Sequence, residues 1–107
     1  MDIGTISIRY AKALMIYASD EGVEDTVYRE IKNLSRSFAQ FPQLRESLDN
    51  PILTTKDKLD LITAAAVGDA EPSKEFVRFI RLIIKQHREF YLQFICLTYI
   101  SFYYHVS

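Results

Sequence analysis

The sequence predicts an all-α fold, a single bundle of about six helices, and three observations carry that prediction. Apolar residues recur in steps of three and four, as at Val23, Val27, Ile31, Leu34 and Phe38, the period of a helix with one buried face. Only three glycines and three prolines punctuate 107 residues, few for the many turns of a β fold. No segment sustains the apolar–polar alternation of a half-buried strand. A chain of this length forms one domain and buries a core without disulfide or metal staples.

The elements follow in order. Thr5 reads as the cap of a first helix beginning at Ile6, with Gly22 just past its end. A second helix runs from about Val23 to Ala39 and is broken by Phe41-Pro42. Pro42 suits the first turn of a short helix through Leu48. Asn50-Pro51 stops that helix, because the residue before proline disfavours helical geometry. Thr54, with Asp57 three residues on, marks a capped start, and Leu59, Leu61, Ile62 and Ala66 follow at helical spacing. Gly68 to Pro72 is a loop. Ser73 caps a fifth helix reaching about Gln86 or His87, and a sixth starts near Arg88 or Glu89, the junction reading as little more than a kink. The uncharged run Phe90–Tyr104, FYLQFICLTYISFYY, falls short of the roughly 20 apolar residues of a bilayer span, so it reads as a buried helix and not as a membrane insertion.

Composition narrows the function. Hydrophobic residues make up 49% and charged residues 25%, an ordinary globular mixture. Thirteen basic against fourteen acidic residues leave no overall field to attract nucleic acid or a membrane surface. The opening MDIGTISIRY lacks the charged-then-apolar pattern of a secretory or transit signal. Cys96 is the single cysteine, so no internal disulfide framework exists, and its apolar surroundings suit an inert core thiol. His87 and His105 are the only histidines, and nothing has metal-ligand spacing. No glycine-rich phosphate cradle is present. The reading is therefore no catalytic residue, no cofactor, no metal and no enzyme.

Two helices carry more apolar surface than a peripheral helix needs. On a wheel, Ile6, Ile8, Tyr10, Ala11, Ala13, Leu14, Met15, Tyr17 and Ala18 cover an arc of roughly 220° on the first helix. On the fifth, Phe76, Val77, Phe79, Ile80, Leu82, Ile83 and Ile84 do the same, opposite a stripe of Lys74, Arg78, Arg81, Lys85 and Arg88. Either both helices are central, or one flank of each faces the core while the others form a shared apolar groove for a partner's amphipathic helix. The wheels alone do not separate these readings.

Three segments then carry a resemblance: RYAKAL near the N-terminus, LDNPILTTKDKLDLI in the middle and FIRLIIKQHREFYLQFI after it. In this order and spacing, with Asn50-Pro51, Lys58 and Arg88, they resemble the N-terminal domain of the ATP synthase delta subunit, the family of the oligomycin sensitivity conferring protein, over about Ile3 to Tyr99. The resemblance implies a six-helix bundle and a non-catalytic role in the stator of a proton-driven rotary enzyme. It implies a peripheral place on the cytoplasmic face of the bacterial inner membrane. It also implies that N-terminal helices of the alpha subunits bind a groove of the first and fifth helices. Carried over by position, the groove residues are Tyr10, Ala13, Leu14 and Tyr17, then Phe79, Leu82 and Ile83, with Gln86 at the rim. Leu14, Ile80 and Ile83 serve equally well as plain core. Arg9 and Asn50 read as structural, Asn50 organising the turn before Pro51.

Family members usually run to about twice this length, with a second, smaller domain that joins the peripheral stalk. Here the sequence ends ISFYYHVS, aromatic where the family turns charged, so the expectation is one domain over residues 1–107 with contact to the stalk's b subunits left to a missing second domain. Phe102, Tyr103 and Tyr104 either pack back on the bundle or make a sticky end. Two alternatives stand beside the stator reading: a free-standing helical adaptor, and a nucleic-acid module using the basic face of the fifth helix. A solvated face is the default for such a stripe, and steep salt dependence would mark the nucleic-acid case.

Overall fold

The structure, a computed structural model, describes residues 2–106. Among the described residues there are six α-helices, as the apolar spacing predicts, and one 3₁₀ turn. The first, α1 (Ile3–Asp20), starts three residues earlier than Thr5 as cap would have it, because Asp2 takes that role: its Oδ1 accepts a hydrogen bond from the Thr5 amide at 2.8 Å. Thr5 thus lies inside the first turn. At the other end, Gly22 takes φ 70°, and the amides of Gly22 and Val23 donate to the carbonyls of Ser19 and Ala18. These are the two bonds of a Schellman stop, which needs a left-handed residue where Gly22 stands.

The next element, α2 (Glu24–Gln40), buries Val27, Ile31, Leu34 and Phe38 along one stripe. Pro42 opens α3 (Pro42–Leu48), where its missing N–H costs nothing. Asn50 organises the following turn, its Oδ1 accepting from the Ile52 amide at 3.0 Å. Thr54 and Asp57 form a reciprocal capping box at the start of α4 (Thr55–Val67). Ser73 caps α5 (Lys74–Lys85) through its hydroxyl to the Phe76 amide.

The junction after α5 is a full stop where the sequence suggests a kink. His87 sits at φ 58°, and the amides of His87 and Arg88 donate to Ile84 and Ile83. This repeats the α1 stop, with histidine in the glycine position. A 3₁₀ turn (Glu89–Tyr91) then leads into α6 (Leu92–Val106).

α1 packs mainly on α6, while α2 packs on α4 and α6, and α4 on α5. The sixth helix is less enclosed than its composition suggests. Leu92, Ile95, Cys96 and Tyr99 are buried on one face, whereas Leu97, Ser101 and Tyr104 are exposed on another. Its aromatic end packs back on α2: the Tyr103 ring stacks on Tyr28 at 3.9 Å between centroids, and its hydroxyl donates to Asp25 Oδ1 at 2.8 Å. Further polar contacts join distant parts of the chain, two of them through shielded acidic side chains. Glu30 is buried and its carboxylate accepts from both the amide and the hydroxyl of Ser73, at 2.6 and 2.7 Å, fixing the start of α5 on α2. Lys58 on α4 pairs with Glu89 at 2.6 Å, both largely shielded from solvent.

Candidate functional site

α1 and α5 lie side by side and antiparallel, tied by two side-chain hydrogen bonds. The Tyr10 hydroxyl donates to Gln86 Oε1, and Arg78 Nη1 donates to the Tyr17 hydroxyl at 3.2 Å. Pairing residue 10 with 86 and 17 with 78 fixes the register, so Ala13 on α1 and Leu82 on α5 fall midway between the ties. The ties stand about two helical turns apart, roughly 11 Å along the seam.

Burial divides the eight expected groove residues into two layers. Leu14, Phe79 and Ile83 are 1%, 5% and 0% exposed, so they lie beneath the surface in the core. Tyr10 and Tyr17 are half-buried, and Ala13, Leu82 and Gln86 face solvent. The sequence pattern gives both layers the same apolar signal, and only packing distinguishes them: Ala13 and Leu14 are 100° apart on the wheel, one outward and one inward. The visible surface is thus a shallow strip, with Ala13 and Leu82 in the centre and a tyrosine ring at each end.

Ile16 extends this strip. It is 62% exposed on α1, beside Ala13 on the wheel, and it lies outside the apolar arc read from the sequence, between Arg9 and Lys12. Excess apolar surface on α1 and α5 is therefore not all consumed by the core. Isolated exposed apolar residues are ordinary, but here Ala13 and Ile16 on α1 and Leu82 on α5 are exposed along a stretch that two half-buried tyrosines bridge.

Charges rim the strip. Lys74, Arg78, Arg81 and Lys85 are exposed along α5, and Lys12 is exposed on α1. Arg88, expected to continue the stripe, lies beyond the end of α5 with its guanidinium 5.7 Å from the Tyr91 ring centre. Carboxylates break the basic face at one end. Arg78 is held in its charged form by the Tyr17 hydroxyl and then by Glu75 and Glu21.

Clefts also lie elsewhere, two of them larger than about 400 Å³. One of about 470 Å³ is bordered by Asp49, Lys58, His87 and Glu89, and its buried cation and anion satisfy each other. The other, of about 430 Å³, is lined by Phe41, Leu44, Leu61 and Ala65. Nothing in the sequence signalled it beyond the chain break at Phe41, whose ring is 57% exposed. Cys96 is fully buried, and desolvation pushes its thiol well above the usual range, which suits packing and not nucleophilic attack. Among the described residues no group of three or more His, Cys, Asp and Glu side chains converges, and no helix is long and apolar enough to cross a membrane.

Comparison with known proteins adds independent findings. A family model described as ATP synthase delta (OSCP) subunit matches residues 6–106. The chain is 54% identical over 103 residues to the ATP synthase subunit delta of Bacteroides thetaiotaomicron, covering 96% of this chain and 55% of that one. It is 47% identical over 103 residues to that of Parabacteroides distasonis, covering 96% and 56%. Against that of Lactobacillus acidophilus it is 35% identical over 83 residues, covering 78% and 44%. The chain thus spans about half the length of the curated relatives it matches. No solved structure matches it significantly.

Proposed function

The chain belongs to the ATP synthase delta (OSCP) subunit family, and from that premise we propose that it is a non-catalytic stator element of a proton-translocating ATP synthase. In this reading the α1–α5 strip receives an amphipathic helix from the N-terminus of an alpha subunit. The grip keeps the catalytic head from turning with the rotor, so torque drives ATP synthesis. Contact with the b subunits of the peripheral stalk falls to a second domain outside these 107 residues. The protein sits at the cytoplasmic face of the bacterial inner membrane through the complex and inserts no segment of its own.

The observation that carries the proposal is the exposed apolar centre, Ala13 and Leu82, framed by Tyr10 and Tyr17 on a seam whose floor is core. A small residue between two rings gives a close seat for a helix backbone, and the tyrosines offer apolar bodies with polar tips. Contact residues in this arrangement are Tyr10, Ala13, Tyr17, Leu82 and Gln86, while Leu14, Phe79 and Ile83 support them from below.

The test is a titration of the protein with a peptide from the alpha-subunit N-terminus at low and high salt, following chemical shifts. The expected result is binding that persists at high salt, with shifts centred on Ala13 and Leu82. Absence of binding to folded protein in both buffers would overturn the proposal. Binding that collapses with salt and maps to Arg81 and Lys85 alone would favour a polyanion partner instead.

A further inference from the structure

The strip is not symmetric end to end, and its charges give it a direction. At the Tyr17 end two exposed carboxylates, Asp20 and Glu21, offset Lys74 and Arg78, while Glu75 is buried beneath them. Arg78 is occupied there by the Tyr17 hydroxyl and lies in the field of Glu75 and Glu21. Toward the middle and the Tyr10 end stand Lys12, Arg81 and Lys85, all exposed, on both sides of the apolar centre. In the register set by the two ties, Lys12 and Lys85 lie level with the Tyr10–Gln86 tie, while Glu21 and Glu75 lie beyond the Tyr17–Arg78 tie. The surface charge therefore runs from near balance to positive over roughly 15 Å, a distance at which screening at physiological salt does not erase the difference between the two ends.

A helix is itself a directed object. Its N-terminus carries partial positive charge from free amides, and its C-terminus carries partial negative charge. Side chains on the flanks of an apolar stripe meet whatever rims the surface beneath them. Resting on the docking reading above, we infer that this surface takes its partner in one direction. The occupant is an amphipathic helix with carboxylates flanking the C-terminal half of its apolar stripe. Its N-terminus lies beside Glu21 and its C-terminus beside Lys85, so that it runs parallel to α5 and antiparallel to α1. A helix laid the other way sets its flank carboxylates and the negative end of its dipole beside Asp20 and Glu21, away from Arg81 and Lys85. Apolar contact through Ala13, Ile16 and Leu82 is nearly indifferent to direction, so charge decides it.

Two synthetic helices of about 18 residues, long enough to cover both ties, test this. They share one leucine stripe and differ only in glutamate or lysine on the flanks of the C-terminal half. Each is made with a nitroxide at one end or the other, and paramagnetic broadening is read on the 107-residue chain. At low salt the glutamate peptide binds roughly tenfold tighter than the lysine peptide, the sum of two or three exposed ion pairs. Its N-terminal label broadens Tyr17 and Arg78, and its C-terminal label broadens Tyr10 and Gln86. The double variant Arg81→Glu with Lys85→Glu reverses the affinity order while both peptides still shift Ala13 and Leu82. Equal affinity, or broadening of both ends by one label, with shifts at Ala13 and Leu82 intact, overturns the direction and leaves the docking reading standing. Failure of every peptide to shift Ala13 and Leu82 overturns both.

Discussion

Arg78 Nη1 on α5 donates to the Tyr17 hydroxyl on α1 at 3.2 Å, and with the Tyr10–Gln86 bond it closes the seam above Leu14, Phe79 and Ile83. Both ties are solvent-exposed, and a hydrogen bond of that kind contributes about 1 kcal/mol or less net. Removing both hydroxyls, in the double variant Tyr10→Phe with Tyr17→Phe, should lower stability by about 1–2 kcal/mol in a denaturant titration. The rings stay in place, so affinity for an alpha-subunit peptide should change less than about threefold. A tenfold loss without unfolding would show that the hydroxyls themselves contact the partner.

Glu30 caps α5 from another helix, across 43 positions of sequence. Its carboxylate is buried and takes two short bonds from Ser73, beside amides that carry the positive end of the α5 dipole. Replacing Glu30 with Ala should cost about 3 kcal/mol, lowering the melting temperature by roughly 10–20 °C. Ser73→Ala, which spares the amide bond, should cost about half as much. Because Ser73→Ala also removes the cap on the Phe76 amide, equal losses for the two variants would mean that this cap weighs as much as the amide bond to Glu30.

The Ser73 cap itself was legible, and so was the Thr54 box, because both close within three residues. Glu30 was not, since no local pattern announces a cap delivered from the preceding bundle layer. Asp2 was missed as a cap: the apolar run that marks the helix starts at Ile6, and nothing in the spacing says that Ile3 and Gly4 join the first turn. The two helices with surplus apolar surface were visible from their wheels, and so was the shared face of Tyr10, Ala13 and Tyr17. The division of that face into floor and surface was not. It depends on how the helices pack, which buries Phe79 and Ile83 and leaves Leu82 exposed. Ile16 was passed over because its neighbours on the wheel are charged, a local cue that says nothing of the apolar residues across the seam.

His87 holds the position that Gly22 holds at the end of α1, at φ 58° where a side chain is strained. Its side chain is exposed. His87→Gly should therefore stabilise the protein by up to about 1 kcal/mol, the strain relieved outweighing the extra freedom of the unfolded chain. Gly22→Ala should destabilise it by about 1–2 kcal/mol. Chemical denaturation of the two variants checks both signs. A destabilised His87→Gly protein would assign the imidazole a supporting contact that outweighs its backbone strain.

Lys58 and Glu89 hold the 3₁₀ turn against α4, at 14% and 10% side-chain exposure. Breaking the pair from one side strands the other charge. Lys58→Met should cost about 3 kcal/mol, near the low end for a shielded pair because some solvent still reaches it. The double variant Lys58→Met with Glu89→Leu should recover most of that loss, since apolar replacements of both partners remove the stranded charge together. A double-mutant cycle in denaturant measures the coupling. Additive losses would mean that the two groups act independently.

Ala13 offers the sharpest separation of fold from function. It is exposed, so a larger side chain there meets no packed neighbour from within the chain. Surface substitutions of that kind usually change stability by less than about 0.5 kcal/mol. On the proposed surface, however, Ala13 is the low point between two tyrosine rings, opposite Leu82. Arginine at that point fills the seat and places a charge where the partner's apolar stripe must be buried. Ala13→Arg should therefore leave the melting temperature within a few degrees of the parent while weakening peptide binding at least tenfold, a penalty typical of a charge forced into an interface centre. Ile16→Ala should weaken binding more mildly, by the loss of its apolar contact area alone. Parent-like affinity in Ala13→Arg would remove the α1–α5 strip as the seat of the helix and redirect the search to the apolar cleft at Phe41, Leu44, Leu61 and Ala65.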